Sequence, residues 1–160
     1  MEPRAFRDIL GVFPTGVTVV TARDATGPAG LTTNAFTSLS LDPPLILVCF
    51  DNASRTLPVV QAAGRFAINV LRDGQEELAA VFASKRVHTE KFDAACHSEQ
   101  GGVPVLDDAL AWLVCDLEEL LPRGDHTIGI GRVTDLRAFD GEPLVFHRGA
   151  YWGLTDPASR

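Results

Sequence analysis

Apolar residues near the start of the chain fall at Phe6, Ile9, Leu10 and Phe13, a helical spacing that predicts a short helix with one apolar stripe, ended by Gly11 and Pro14. The pattern then becomes extended. Val17 to Thr21 contains only β-branched residues and predicts a strand, while Asp24 to Gly30, with Gly27, Pro28 and Gly30, predicts the turn after it. Leu31 to Leu41 mixes small polar and apolar positions, whereas Leu45 to Phe50 is continuously apolar and predicts a strand buried on both faces. Asp42, Pro43 and Pro44 break these two runs apart. Ser54 or Thr56 can cap a helix that carries Pro58 in its first turn and Gly64 at its end.

Phe66 to Leu71 predicts another strand. Asp73 and Glu76 then have capping-box-like spacing ahead of a helix that would bury Leu78, Val81 and Phe82. Thr89 to Ala95 predicts a further helical turn or two, and Gly101, Gly102 and Pro104 a loop. The run from Ala109 to Leu121 fits two patterns. Leu110, Leu113, Val114, Leu117 and Leu121 lie on one helical face, while Leu113, Cys115 and Leu117 lie on one strand face; propensity favours the helix. His126 to Arg137 and Tyr151 to Leu154 predict strands separated by the turn Asp140-Gly141-Glu142-Pro143. The fold class expected is mainly β with inserted helices, a closed or nearly closed barrel decorated by helices.

Composition narrows the function classes. A chain of 160 residues, 46% hydrophobic and 22% charged, predicts one globular domain over residues 1–160 and is too short for separate dinucleotide and substrate domains. The formal net charge of −7 argues against nucleic acid as a partner, since neutralising a phosphate backbone needs a basic surface. Cys49, Cys96 and Cys115 stand singly and predict reduced thiols rather than disulfides. The charged segment Met1 to Leu10 lacks a signal-peptide apolar region, and no run approaches the roughly 20 apolar residues of a membrane span. A soluble cytoplasmic protein with no membrane partner is expected.

Gly129 and Gly131 lack the third glycine and following helix of a Rossmann fingerprint. His88, His97, His126 and His147 lack the spacing of a metal site, so no metal is expected. The positive signal is Gly30-Leu31-Thr32-Thr33-Asn34-Ala35-Phe36-Thr37-Ser38-Leu39-Ser40-Leu41-Asp42-Pro43-Pro44. Its crowded hydroxyl and amide groups offer neutral donors and acceptors beside an apolar strand, and an extended backbone there can present N–H and C=O groups to a planar heterocycle. The plainer alternative is an edge strand whose Ser and Thr side chains face water.

Five pieces together resemble the short-chain flavin reductases, the reductase components of two-component flavin-dependent monooxygenases. They are Phe13-Pro14-Thr15-Gly16-Val17, the Gly30 to Leu45 segment, Phe66 to Leu71, Gly124-Asp125-His126-Thr127-Ile128 with Gly131-Arg132-Val133, and Leu144 to Tyr151. They cover nearly the whole chain in order. The resemblance implies an FMN-binding split β-barrel, usually a homodimer, that oxidises NADH or NADPH, reduces FMN or FAD and supplies a partner monooxygenase. It also implies that Ala111 to Leu117 is a strand.

By position, the resemblance implies that Thr32, Thr33, Asn34 and Ala35 lie near the flavin ring, with Ser38, Leu39 and Ser40 continuing along it. It assigns Asp51, Asn52, Ser54 and Thr56 to a second flavin loop, where hydroxyls and helix-start N–H groups suit a phosphate, although Ser54 or Thr56 also serves as a plain N-cap. Ala83, Ser84 and Lys85 fall at a helix end that the family uses at the phosphate or ribityl end, the alternative for Lys85 being a solvated cation. His126 would lie by the nicotinamide, its alternative a strand-start histidine bonded to a backbone carbonyl. Arg148 and Tyr151 are further nicotinamide-site candidates, against a turn arginine and a packing tyrosine. Related proteins place a bulky apolar residue at the position of Gly129, where the missing side chain would open room beside the cofactor or mark a bulge.

No protein acid or base is needed for hydride transfer between two cofactors, so no catalytic side chain is expected. Two other readings remain open at this point: a pyridoxamine-phosphate-oxidase-like oxidase with tightly bound FMN, and a nonenzymatic flavin-binding dimer module.

Overall fold

The computed structural model describes residues 2–154, so residue 1 and residues 155–160 of the expected domain lie outside the described residues. The architecture is mainly β with helices inserted between strands. Helix α1 (Pro3–Leu10) is capped by the Glu2 carboxylate, which accepts from the Arg4 and Ala5 N–H groups. Its apolar stripe finds no cover among the described residues: Phe6, Ile9 and Leu10 are exposed, as are Val12 and Phe13 beyond it.

Strands β1 (Thr15–Gly16) and β2 (Thr18–Asp24) follow, and β2 turns tightly into β3 (Gly27–Thr33). The Asp24 carboxylate accepts from both the N–H and the hydroxyl of Thr26, closing the bend early, so Gly27 to Gly30 is strand rather than the expected turn. Strands β4 (Phe36–Leu41) and β5 (Pro44–Asp51) form the next hairpin, and helix α2 (Thr56–Ala63) ends on left-handed Gly64 at φ 63°.

Strand β6 (Arg65–Val70) leads to helices α3 (Glu76–Ala83) and α4 (His88–Asp93). The expected capping box is not formed: Gln75 precedes α3, and its side-chain oxygen accepts from the Arg72 N–H instead. The Gly101-Gly102 loop is the turn between β7 (His97–Gln100) and β8 (Val103–Leu106), with Pro104 inside the strand. The long strands β9 (Ala111–Arg123) and β10 (His126–Ala138) precede a last hairpin, β11 (Val145–His147) and β12 (Ala150–Trp152). Helical propensity at Ala109 to Leu121 loses because β9 lies between β6 and β10, which hydrogen-bond both its edges.

The large sheet runs β3-β2-β6-β9-β10-β5-β4 and does not close, which is compatible with a split barrel. Strand β2 is buried on both faces: Val20 and Ala22 meet Val59 and Val60 of α2, while Val19 packs with Ala79 and Phe82 of α3 and Phe92 of α4. Buried Asn69 clips β6 to its neighbours, donating to the Val19 carbonyl and accepting from the Leu106 N–H. Strand β5 departs from its expected two-sided burial. Ile46, Val48 and Phe50 point into the core, but Leu45, Leu47 and Cys49 on the other face are only half-buried, because no helix of this chain covers them.

Gly129 neither opens room nor marks the bulge of β10, which falls between Ile130 and Gly131. A Cβ there would sit 2.8 Å from Cε2 of Phe50, so the aromatic ring already occupies the space. Phe50 is fully buried and meets Phe66 edge-on at 6.4 Å between centroids. Beside them the Cys115 thiol is buried, and desolvation, with Asp116 adding to it, pushes its pKa up to about 12.

Replacing Gly129 with Val is expected to destabilise the fold by about 1–3 kcal/mol in urea unfolding, the range for overpacking a filled core. Adding Phe50→Leu should recover part of that loss. Additive losses in the double variant would show that Phe50 is not the obstacle.

Candidate functional site

Two cavities meet at the start of β10. The first, of about 390 Å³, lies between β3, β5, the loop entering α2, the end of α3 and the first turn of α4. Thr32, Thr33, Asp51, Ser54 and Thr56 line it, as do Ala83, Ser84, Lys85 and His126. Most of the polar groups here are already engaged within the chain. The Thr32 hydroxyl donates to the Ala79 carbonyl at 2.6 Å, and the Thr33 hydroxyl oxygen accepts from the Ala35 N–H. Ser84 donates to the Val81 carbonyl and accepts from the Arg86 N–H. Ser54 accepts from the Thr56 N–H, the plain N-capping role, while still facing the cavity. Lys85 keeps an exposed ammonium with no partner among the described residues.

Among the lining residues that the sequence reading did not single out are Cys49, Arg55, His88 and Lys91. Arg55 donates to the Lys85 and Arg86 carbonyls and so ties the link between α3 and α4 to the start of α2. Lys91 is buried and donates to the Gly30 and Phe82 carbonyls. Burial pushes its pKa down, and the Arg55 cation adds to the effect. Neither ring nitrogen of His88 has a hydrogen bond of good geometry. Desolvation lowers its pKa, the cations of Lys91 and Arg55 add to this, and the Arg55 backbone opposes it. The i, i+3 spacing of His88 and Lys91 was the available signal, since it puts both on one face of α4.

The second cavity, of about 1040 Å³, is larger and more apolar. Phe6 and Leu10 of α1, Val12, Phe13 and Phe146 line it together with Asn34, Asp125, His126 and Arg148. The Asn34 side chain donates to the Thr15 hydroxyl. Arg148 has a left-handed backbone, φ 51°, and its N–H donates to the Gly11 carbonyl, joining the β11–β12 turn to the end of α1.

Other expected residues lie elsewhere. Ser38, Leu39 and Ser40 sit on β4, the free edge of the sheet, outside both cavities. Ala35 lines neither cavity; its carbonyl accepts from the Cys49 N–H. Tyr151 packs on Phe146 at 5.5 Å between ring centroids, the packing role. Asn52 is engaged within the chain: its backbone N–H donates to the Asp125 carbonyl and its side-chain N–H to the Gly124 carbonyl, while its side-chain oxygen accepts from Thr127.

His126 lines both cavities. Its Nδ1 lies 2.8 Å from the Asp125 carboxylate, so the alternative of a carbonyl-bonded histidine does not apply. The His126 hydrogen bond holds the Asp125 carboxyl below its ordinary pKa. Among the described residues no His, Cys, Asp or Glu cluster could hold a metal, and no helix is long and apolar enough to cross a membrane.

Residues 10–155 match the flavin reductase-like domain. The chain belongs to that family. Among its flavin reductase-like relatives, the Rhizobium meliloti (strain 1021) protein named "Probable flavin reductase" is 46% identical over 153 residues, spanning 94% of this chain and 49% of that protein. The chain is thus about half the length of that relative. The reductase subunit HsaB of a flavin-dependent monooxygenase from Rhodococcus jostii (strain RHA1) is 39% identical, with 96% of this chain and 79% of that protein covered. Among solved structures, the NADH:FAD oxidoreductase SgcE6 of Streptomyces globisporus C-1027, in complex with NAD and FAD fragments, superimposes with a TM-score of 0.91. It is 37% identical and covers 98% of this chain and 95% of its own.

The His88 ring yields a pH prediction. Unfolded, it takes up a proton near its ordinary pKa of 6.5, whereas folded it resists protonation, so the unfolded state binds more protons and stability falls as the pH drops. His88→Gln is expected to lose less stability than the parent between about pH 7 and pH 5, the range around an ordinary histidine pKa. Urea midpoints at both pH values measure it, and parallel losses would mean that the folded ring protonates freely.

Proposed function

We propose that this chain is an NAD(P)H:flavin oxidoreductase that moves a hydride from NADH or NADPH to FMN or FAD. The observation that carries this reading is the junction at His126 of a small polar cavity with a large apolar one. Ser54, the start of α2 and the free ammonium of Lys85 suit the phosphate of a flavin, and the backbone from Thr32 to Ala35 runs beside them. His126 and Arg148 border the space for the nicotinamide, and Phe13 and Phe146 give it apolar walls. A flavin held there supplies the hydride acceptor, so that NAD(P)H, a proton and oxidised flavin become NAD(P)⁺ and reduced flavin.

The acceptor of the reduced flavin is read as a flavin-dependent monooxygenase, the assembly named for the Rhodococcus jostii relative. The cytoplasm is read as the site of action, which suits three free thiols and a diffusing nicotinamide. A homodimer is the third part of the proposal. Two unmet burial demands support it: the bare stripe of α1 and the half-buried outer face of β5, whose continuous apolar sequence suits a strand covered on both sides.

Steady-state oxidation of NADH and NADPH, each with FMN and with FAD, tests the activity. Flavin-stimulated turnover with at least one pair is expected, and none with any pair overturns the reading. Lys85→Ala should raise the flavin KM about tenfold or more, in the range of one lost charged hydrogen bond, and leave the nicotinamide KM nearly unchanged.

Light scattering after gel filtration tests the dimer. The parent chain is expected at twice its mass and Ile9→Glu as a monomer; a monomeric parent overturns the proposal.

A further inference from the structure

The strand-start turn at Gly124-Asp125-His126 is held more firmly than its exposure suggests. Asn52 makes two hydrogen bonds to it and a third just beyond: from its backbone N–H to the Asp125 carbonyl at 3.0 Å, from its side-chain N–H to the Gly124 carbonyl at 3.2 Å, and to its side-chain oxygen from the Thr127 hydroxyl at 2.7 Å. Gly124 takes the left-handed conformation, φ 65°, that brings the turn round. The His126 ring therefore projects from a fixed base into the junction of the two cavities. Its Nε2 has no hydrogen-bond partner among the described residues, whereas its Nδ1 lies 2.8 Å from Oδ1 of Asp125.

An ionised carboxylate only accepts hydrogen bonds, so the imidazole nitrogen facing Asp125 must carry the proton. In a neutral imidazole the other nitrogen is then an acceptor. We propose that Asp125 is a positioning residue that fixes the His126 tautomer, making Nε2 a hydrogen-bond acceptor at the junction and selecting a nicotinamide carboxamide over a nicotinic acid carboxylate. A carboxamide N–H₂ donates to such a nitrogen. A carboxylate has no proton to offer and is repelled by its lone pair. This rests on the reading of the second cavity as the nicotinamide site.

The pair has little to do with holding the fold. The side chains of Asp125 and His126 are 96% and 47% exposed, and ion pairs so open to water add little stability, so variants at Asp125 are expected to fold. Removing the carboxylate frees the imidazole to carry its proton on either nitrogen. Asp125→Asn differs from Asp125→Ala in one respect that matters, since its amide oxygen still accepts from Nδ1–H.

The test has two readouts, both at about pH 8, where an ordinary imidazole is neutral. The first is the ¹⁵N spectrum of the histidine rings in the ligand-free protein, with the His126 signals identified by their loss in His126→Gln. The Nδ1-protonated tautomer is expected in the parent and in Asp125→Asn, and a mixture in Asp125→Ala. A parent ring protonated on Nε2 overturns the proposal whatever the activity.

The second readout is kcat/KM for NADH against that for reduced nicotinic acid adenine dinucleotide, with saturating flavin. Preference for NADH is expected to fall about tenfold in Asp125→Ala, mainly through the NADH KM, and to return in Asp125→Asn; tenfold is the scale of one hydrogen bond. Unchanged preference in Asp125→Ala, with the tautomer as expected, overturns the selectivity. Absence of any flavin-dependent NADH oxidation by the parent would defeat the reductase reading instead, and the ring spectrum would still decide the tautomer.

Discussion

The two-sided burial of β2 is the constraint on which the rest of the arrangement depends. A strand that presents Val19 to one core and Val20 and Ala22 to another needs cover on both faces, and α2 on one side and α3 with α4 on the other provide it. The helices are thereby committed to the β2–β3 end of the sheet. At the other end β5 and β4 keep an outer face with no helix over it. The cavities lie along the boundary between the covered and uncovered parts, where helix ends, loops and strand starts converge around His126.

Much of the fold was legible in local pattern. Gly64 ends α2 because a left-handed residue was needed there, and the β-branched run ahead of Asp24 became a strand for the reason its composition implied. What local pattern missed came from partners distant in sequence. The segment Ala109 to Leu121 reads as a helix until β6 and β10 are known to flank it. Strand β5 reads as doubly buried because Leu45 to Phe50 is continuously apolar, yet burial depends on what lies opposite, and no helix among the described residues covers Leu45 and Leu47. Gly129 was read against empty space, when Phe50, far away in sequence, fills it.

The site was legible in outline and misjudged in detail for a related reason. Polar residue types mark a polar neighbourhood, but which atoms remain free is a matter of geometry. Asn52 and Arg55 have the chemistry of ligands and spend it on backbone carbonyls, holding the His126 turn and the link between α3 and α4 in place. Lys91 does the same from within the core. Lys85 stays free because it stands exposed at a helix end and no acidic side chain among the described residues pairs with it, a fact no residue count along the chain reveals.

The raised pKa of the Cys115 thiol has a consequence for the protein's working life. Reduced flavin that escapes into aerated water gives up its electrons to dioxygen and generates peroxide, so the proposed activity would put the protein beside an oxidant of its own making. Peroxide attacks thiolates, and a thiol with a pKa of about 12 is ionised at neutral pH in only about one molecule in 10⁵. The sulfur packed beside Phe66 and Phe50 is therefore shielded from that damage twice over, by the walls of the core and by its own proton. Exposed Cys96 lies outside the main cores, where a modified side chain would disturb little.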